Sequence, residues 1–144
     1  MQVDKKYITK SHEQTQKLGE KIAQELSDTV AGKTALVLGL QGNLGGGKTT
    51  FLQGFAKGLG VKEKILSPTF VIMKRFGNFY HFDCYRLKDH KDILELGFKE
   101  IISNPKNIVA VEWPEKIKKV LPKTTIFINF KFLDKNKREI KFET

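Results

Sequence analysis

The sequence predicts a three-layer α/β domain, with a mixed, mainly parallel central sheet and a C-terminal β-hairpin. Residues 35–38 and 108–111 are short apolar runs of the kind that is buried on both faces of a parallel sheet. Segments with helical periodicity alternate with strand-like segments, which is typical of this fold class. Two strand-like runs around a polar turn close the chain and predict the hairpin. We expect residues 1–144 to form a single domain.

The first predicted elements are a short strand at residues 6–9 and a helix. Ser11, with Gln14 three residues later, forms a capping-box-like start for this helix, which runs to about Leu26. The apolar face of the helix consists of Leu18, Ile22, Ala23 and Leu26.

A glycine-rich loop follows a turn at residues 28–33 and a buried strand predicted at residues 34–40. Residues 42–49 read GNLGGGKT and fit the pattern G-x-x-x-x-G-K-[ST]. In such a loop, backbone N–H groups point inward at a polyphosphate, and the next helix presents its positive dipole end to the same anion. The sequence therefore predicts nucleotide binding and a fold like that of P-loop NTPases, with the helix ending at Gly58 or Gly60.

Two residues of this loop are expected to contact the phosphates and the metal directly. Lys48 is expected to reach the β- and γ-phosphates, and the hydroxyl of Thr49 has the spacing needed to ligate Mg²⁺. The predicted nucleotide-binding residues of the segment are Asn43, Leu44, Gly45, Gly46, Gly47, Lys48, Thr49 and Thr50.

The middle of the chain predicts a second hairpin and a short helix. Residues 69–76 and 79–84 are strand-like and join at a turn containing Gly77. Residues 89–96 predict a short helix that Gly97 ends.

The last third of the chain predicts a strand, a helix and the terminal hairpin. After the strand at residues 108–111, Pro114 fits the first turn of a helix that extends to Val120. Residues 124–133 and 138–142 flank a polar turn and form the hairpin.

A phosphate-binding loop needs an acidic residue to hold the metal, usually at the carboxyl end of a neighbouring strand. Glu112 follows the strand at residues 108–111 and is expected to lie beside Thr49 and to ligate Mg²⁺ directly or through water. Trp113 comes next and is expected to pack against the sheet edge, close enough to report nucleotide occupancy.

Asp83 is a second candidate acid. Strand alternation places Asp83 on a polar face with His81 and Tyr85. Phe82 and Cys84 then point into the core. Asp83 is expected to order a metal-bound water or the attacking water. For His81, a hydrogen-bonded structural role is favoured over a role as metal ligand.

Composition limits the partners and the compartment. The chain has 26 Lys and Arg against 16 Asp and Glu, which leaves open a docking surface for RNA or an acidic protein. A lysine-rich coding bias of the genome is the alternative explanation of the same imbalance. The single cysteine, Cys84, excludes an internal disulfide. No apolar run approaches the roughly 18 residues of a membrane span, so we expect a cytoplasmic protein without membrane association.

The motifs taken together resemble one family, TsaE (also called YjeE), the ATPase of bacterial tRNA threonylcarbamoyladenosine biosynthesis. The most specific match is H-x-D-x-Y-R-L at residues 81–87, followed by E-W-P-E at residues 112–115. The other matching segments, in the same order along the chain, are residues 11–19, 42–50, 67–70 and 95–97.

The resemblance implies a protein that binds ATP and Mg²⁺, hydrolyses ATP slowly and acts with the partners TsaB and TsaD. These proteins add the threonylcarbamoyl group to adenosine 37 of tRNAs reading ANN codons, and the tRNA would be contacted indirectly or weakly. In this chain the resemblance assigns Lys48 to the phosphates and Thr49 to the metal. It assigns Glu112 to the metal and Asp83 to the water or the metal shell.

Further site residues follow from the same resemblance. Thr69 would lie in a switch-like segment. The remaining nucleotide contacts would be Ser11, Thr15 and Arg138. The chain departs from the family pattern at Asn43, where an acidic residue is usual, and at Gly46, where alanine is usual. The first departure removes a negative charge near the phosphates, and the second makes the loop more flexible.

Two alternatives remain open. A small-molecule kinase shares the loop and the length, but it generally needs an arginine-bearing lid, and the three arginines of this chain are not clustered. A nucleotide-dependent binding switch without useful turnover would use the same loop.

Overall fold

The structure is a computed structural model that describes residues 5–27, 32–42, 47–65 and 72–143. The strands are β1 (Lys6–Thr9), β2 (Leu36–Gln41), β3 (Met73–Phe76), β4 (Phe79–Asp83), β5 (Ile108–Glu112), β6 (Ile126–Asp134) and β7 (Lys137–Glu143). The helices are α1 (His12–Ser27), α2 (Lys48–Gly58), α3 (Lys91–Leu94) and α4 (Phe98–Ser103), and a 3₁₀ helix covers Pro114–Val120. Within the described ranges, no helix is both long enough and apolar enough to cross a bilayer.

The predicted α/β class is confirmed, because helices accompany a mixed seven-stranded sheet with the strand order β1-β7-β6-β2-β5-β4-β3. The contacts divide the chain into two compact units. The first unit contains β1, α1, α2, β7 and the part of β6 from Ile128 onward. The second unit contains β2 to β5, α3, α4, the 3₁₀ helix and β6 up to Phe127. That the whole chain forms a single domain stays a prediction.

In the first unit, α1 and α2 pack with their backbones in close approach. A Cβ atom on Gly54 of α2 would overlap the carbonyl oxygen of Gln16 in α1. A Cβ on Gly19 of α1 would overlap the carbonyl oxygen of Phe51 in α2. Each helix therefore presents a glycine where the backbone of the other passes. This contact fixes the position of the helix behind the predicted phosphate loop.

Aromatic side chains fill the core of the first unit. The ring centroid of Phe51 lies 5.5 Å from that of Phe130 and 6.2 Å from those of Phe55 and Phe142. The predicted apolar face of α1 is confirmed, since Leu18, Ile22, Ala23 and Leu26 are all buried. The predicted terminal hairpin is also confirmed, and its second strand pairs with β1 in antiparallel register.

In the second unit, β4 and β2 flank β5 and both run parallel to it. The carboxyl ends of the three strands therefore meet at one edge of the sheet. Strand β3 adds to β4 in antiparallel register through the predicted turn at Gly77. The buried core of this unit comprises Ala35, Val37, Tyr80, Phe82, Cys84, Leu87, Ile93, Phe98, Val109, Val111 and Ile117.

The short helix predicted at residues 89–96 is wrong in its extent. Helix α3 covers only Lys91–Leu94, and Gly97 stands before α4, which the sequence did not reveal. Gly97 has a φ of 82°, a left-handed conformation that glycine adopts at little cost. The glycine interpreted as a stop therefore joins one helix to the next.

Two further elements differ from the sequence expectation, one in its helix type, with its predicted bounds confirmed, and one in its start. The segment from Pro114 to Val120 is a 3₁₀ helix, and Ile117 inside it has a non-helical φ of −126°. Strand β3 begins at Met73, and the start predicted at Thr69 lies outside the described residues. The predicted turn at residues 28–33 is described only from Gly32 onward.

Candidate functional site

The two ends of the predicted phosphate loop require glycine. Gly42 has a φ of 139°, and a Cβ there would lie 2.5 Å from the carbonyl oxygen of Phe130. Gly47 has a φ of 100°. Both values lie in the region that side chains disfavour. The intervening predicted residues Asn43, Leu44, Gly45 and Gly46 lie outside the described residues, as does Thr69.

Helix α2 begins directly after the loop with its N-terminal N–H groups uncapped. In the part of the chain that the structure describes, no side chain caps this end, and the first turn contains no acidic residue. Four N–H groups at a helix start have no partner within the helix, and the dipole there favours negative charge. This end of α2 therefore suits an anionic ligand.

Lys48 places a cation at the same helix end. Its side chain is buried, and Nζ donates a hydrogen bond to the carbonyl oxygen of Gly42 at 2.7 Å. A buried ammonium group needs polar partners, because removing it from water is costly. The predicted phosphate-binding lysine is thus held against the first glycine of its own loop. Thr49, the next residue, is half-buried in the first turn of α2.

Two of the more distant predicted nucleotide contacts lie beside Gly47. A Cβ placed on Gly47 would lie 3.7 Å from Cγ2 of Thr15 and 3.7 Å from Cγ of Arg138. Thr15 is buried, and its Oγ1 lies 2.7 Å from Oγ1 of Thr9. The fold therefore brings Thr15 and Arg138 to the C-terminal end of the phosphate loop, from α1 and from the hairpin.

The guanidinium group of Arg138 is ordered by the hairpin that carries it. Nη1 donates hydrogen bonds to the carbonyl oxygens of Asp134 at 2.8 Å and Lys137 at 3.1 Å. The group also lies over the ring of Phe132, 4.6 Å from its centroid. These contacts hold the guanidinium group at the turn of the hairpin, while Cγ of the same side chain lies beside Gly47. Its role as a nucleotide contact stays a prediction.

The start of α1 contributes Ser11 and a residue that the sequence reasoning missed. Oγ of Ser11 accepts a hydrogen bond from the backbone N–H of Gln14 at 3.1 Å, so the predicted N-terminal cap is confirmed. Gln14 instead accepts from the N–H of Lys10. The missed residue is His12, whose Nδ1 lies 3.3 Å from Oγ1 of Thr50 in α2. Only its position between Ser11 and Thr15 in the sequence pointed to it.

In the second unit, Glu112 lies at the carboxyl end of β5 and is buried. It stands opposite Leu40 of β2 and opposite Asp83 of β4. The loop begins at Gly42, two residues after Leu40 in the sequence. The structure therefore brings together the two carboxylates predicted as metal ligands, at the strand edge expected from the sequence.

His81 is a partner of Glu112. Its Nε2 lies 2.7 Å from Oε2 of Glu112, and both side chains are buried. The sequence prediction of a hydrogen-bonded histidine is confirmed. Tyr85, expected on the same face, instead lies after β4, which ends at Asp83, and it is 50% exposed, whereas His81 inside the strand is 3% exposed. The pairing with Glu112 allows this histidine to be buried.

Asp83 is half-buried at the end of β4. Its Oδ1 accepts a hydrogen bond from the backbone N–H of Tyr85 at 3.0 Å, which shapes the turn after the strand. The N–H of Cys84 donates to the carbonyl oxygen of Glu112 at 3.0 Å. Backbone contacts thus keep the two acids at the same edge.

Trp113 has an unusual backbone. Its φ of 59° and ψ of 53° are left-handed, and it is the only residue other than glycine with positive φ in the described ranges. Such a conformation in a bulky residue is strained, and strain of this kind concentrates at functional sites. The indole ring packs against Tyr85, with centroids 5.1 Å apart. Trp113 therefore redirects the chain immediately after Glu112.

Cys84 takes no part in this polar edge. Its side chain is buried in the core, as predicted. Burial raises the pKa of the thiol from 9.0 to about 12, and the charges of Asp83, Glu112 and Glu115 add to the effect. The thiol therefore stays protonated and unreactive at neutral pH.

The carboxylates at this sheet edge carry oxygen atoms, which are the ligands that Mg²⁺ prefers. Within the described ranges, no group of three or more His, Cys, Asp or Glu residues is arranged to hold a metal. Mg²⁺ is commonly bound through one or two carboxylates together with substrate phosphates and water. Asp83 and Glu112 are two carboxylates of the type that such a site would use, paired across β4 and β5.

Comparisons with known proteins agree with the motifs and the fold. The family model for threonylcarbamoyl adenosine biosynthesis protein TsaE matches residues 9–140. The TsaE protein of Rickettsia felis is 39% identical over 136 residues, which cover 91% of this chain and 75% of that protein. The TsaE protein of Bacillus subtilis is 40% identical over 110 residues, which cover 74% of this chain and 68% of that protein.

A solved structure gives the same result for the fold. The crystal structure of Bacillus subtilis YdiB superposes with a TM-score of 0.78 and 32% sequence identity, over 99% of this chain and 86% of that one. The family match covers the phosphate loop, Asp83, Glu112 and Arg138 together. This chain therefore belongs to the TsaE family, whose function lies in tRNA threonylcarbamoyladenosine biosynthesis.

Proposed function

We propose that this protein binds ATP with Mg²⁺ and hydrolyses it slowly, as the ATP-using component of the machinery that modifies adenosine 37 of tRNAs reading ANN codons. The observation that carries the proposal is the hydrogen bond from buried Lys48 to Gly42 at the start of α2. A cation at an uncapped helix end without acidic residues favours a phosphate ligand.

One group of residues would bind the phosphates, and another would bind the metal. Lys48 and the N–H groups at the start of α2 would bind the phosphates. We propose the hydroxyl of Thr49 and the carboxylates of Glu112 and Asp83 as ligands of Mg²⁺ or of its water. When bound, Mg²⁺ would neutralise charge on the phosphate oxygens during hydrolysis. Asp83 would also orient the attacking water.

We propose homologues of TsaB and TsaD as the partners, with tRNA contacted indirectly or weakly. Family membership and the order of motifs along the chain support this proposal. Transfer of the threonylcarbamoyl group would belong to the TsaD homologue. ATP hydrolysis in this chain would permit repeated cycles, and the reaction would take place in the cytoplasm, where ATP and tRNA are available.

The proposal is tested by phosphate release and by tRNA modification in a reconstituted system. The purified chain, with ATP and Mg²⁺, should release inorganic phosphate slowly, and release should increase when the TsaB and TsaD homologues of the same organism are added. Several rounds of tRNA modification should require the chain and hydrolysable ATP. The Lys48→Ala variant should fail in both assays, whereas Lys57→Ala, at an exposed lysine of the same helix, should not.

Other outcomes would identify the alternatives. Transfer of phosphate to a small-molecule acceptor faster than its release to water would indicate a kinase. ATP-dependent binding of the partners without measurable phosphate release would indicate a switch. A preference for GTP over ATP would contradict the assignment of the nucleotide.

A further inference from the structure

The buried pair of His81 and Glu112 is not explained by the proposed function. The side chains of His81 and Glu112 are only 2% and 7% exposed, and Nε2 and Oε2 are 2.7 Å apart. A predicted metal ligand is thus engaged by a neighbouring side chain.

The register of the sheet shows why these two side chains meet. His81 pairs with Ala110, and Asp83 pairs with Glu112, across the parallel strands β4 and β5. Residues two apart on a strand share a face, so His81, Asp83 and Glu112 all lie on the same face. His81 therefore reaches Glu112 diagonally, from the side away from the carboxyl ends of the strands.

The chemistry of the two side chains decides which of them is the hydrogen-bond donor. An ionised carboxylate can only accept, so the imidazole donates its Nε2–H to Oε2. Among the described residues, this bond engages Oε2 and leaves Oε1 as the oxygen available to a cation. The backbone also constrains the carboxylate, because Glu112 is paired on both sides and Trp113 turns the chain immediately afterwards.

We propose that His81 is a positioning residue for Glu112, which holds the carboxylate by Oε2 so that Oε1 is presented to Mg²⁺ or to its bound water. This inference rests on the proposed function, since it assumes that Glu112 serves the metal. Hydrogen-bond partners of metal-binding carboxylates orient the ligand, and their loss typically lowers metal affinity by about 10- to 100-fold.

Two polar replacements of His81 distinguish a role in positioning Glu112 from a role in packing alone. In His81→Gln, the amide nitrogen is as many bonds from Cβ as Nε2 of histidine, so it can donate to Oε2. In His81→Asn, the amide nitrogen is one bond closer to the backbone and falls short. The Tyr80→Phe variant is the matched control, because Tyr80 is also buried in β4 but points to the opposite face.

The measurement is the affinity for ADP by calorimetry, once in EDTA and once in saturating Mg²⁺. The ratio of the two affinities reports the metal without any turnover. We expect His81→Asn to reduce the gain in affinity from Mg²⁺ by about 10-fold or more, with the EDTA affinity unchanged. His81→Gln should restore most of the gain, and Tyr80→Phe should match the wild type. Thermal unfolding of each variant shows whether it is folded under the assay conditions.

Each other result has a defined meaning. An unchanged Mg²⁺ gain in His81→Asn would overturn the inference while leaving the proposed function intact. An equal loss in EDTA and in Mg²⁺, or an equal loss in the Gln and Asn variants, would show that His81 only fills space. A wild-type protein that binds ADP without any gain from Mg²⁺ would overturn the metal role of Glu112 itself.

Discussion

Nζ of Lys48 donates a hydrogen bond to the carbonyl oxygen of Gly42 at 2.7 Å, and so joins the last part of the predicted phosphate loop to its first residue. The ammonium group belongs to the first residue of α2. A phosphate arriving there can take the place of the carbonyl oxygen as the acceptor, and a charged acceptor forms the stronger hydrogen bond. The described ends of the loop thus place the Lys48 ammonium group where a phosphate could accept its hydrogen bond.

Replacing Lys48 by Ala should weaken ATP binding by roughly 10- to 100-fold, because a hydrogen bond to a charged group contributes about 1.5 to 3 kcal/mol. Hydrolysis should fall with it. Calorimetric titration with ATP measures the first effect and phosphate release the second. Lys57→Ala is the control, because this lysine is exposed in the last turn of the same helix. Equal affinity in the two variants would contradict the role of Lys48.

Replacing Glu112 by Gln should abolish most Mg²⁺-dependent hydrolysis while nucleotide binding in EDTA is retained. The amide removes the charge that attracts the metal, yet its single oxygen can take the place of Oε2 and accept the hydrogen bond from Nε2 of His81. We expect hydrolysis to fall by more than about 10-fold, since loss of a hydrogen-bond partner of a ligand already has an effect of that size. Unchanged hydrolysis would mean that the metal-binding acid is another residue.

Replacing Gly54 by Ala should destabilise the fold, because the added methyl group overlaps the carbonyl oxygen of Gln16. Backbone atoms have to move, and overpacking of this kind costs about 1 to 3 kcal/mol. Denaturant unfolding provides the measurement. Gly32→Ala is the control, since a Cβ at Gly32 meets no atom of the described residues within 4 Å and its φ does not require glycine. Equal stability of the two variants would contradict the close approach of α1 and α2.

The Cys84 thiol should make stability depend on pH above 9. Its pKa is raised by burial from 9.0 to about 12, so the folded protein keeps a proton that the unfolded chain loses. The stabilising effect is complete below pH 9 and decreases as the pH rises towards 12. Between pH 8 and pH 10, the free energy of unfolding of the wild type relative to Cys84→Ala should fall by about 1.4 kcal/mol.

This comparison is made without Mg²⁺, because a bound cation would change the charges near the thiol. Labelling of the native protein at pH 8 by a thiol reagent provides a second measurement. It should be far slower than labelling of the unfolded chain. Rapid native labelling, or a difference between wild type and variant that is independent of pH, would contradict the buried state of Cys84.

Much of the fold followed from local features of the sequence. The strand at residues 108–111 was recognisable as an uninterrupted apolar run, and the start of α1 at Ser11 was recognisable as a cap. The errors lay where local signals conflict. Gly97 was interpreted as the end of a helix, but a glycine with positive φ can equally connect two short helices. Only the packing of Phe98 into the core shows that a second helix follows the glycine.

The candidate site was predictable to the extent that it depends on strand ends. Glu112 and Asp83 were identified because each closes an apolar strand, and the parallel register places them opposite each other. The bond between His81 and Glu112 and the approach of Thr15 and Arg138 to Gly47 were not predictable from spacing. Each joins residues far apart in the chain.

The sequence by itself therefore determined the glycines, the lysine and the hydroxyl of the phosphate loop, the acids at the strand ends and the family. These features depend on the covalent order of neighbouring residues and on local backbone preferences. Tertiary structure alone decided which oxygen of Glu112 is engaged by His81, and which side chains surround Gly47. The physical reason is that strand register and the close contact of α1 with α2 set these distances, and a shift of one residue in register would turn His81 away from Glu112.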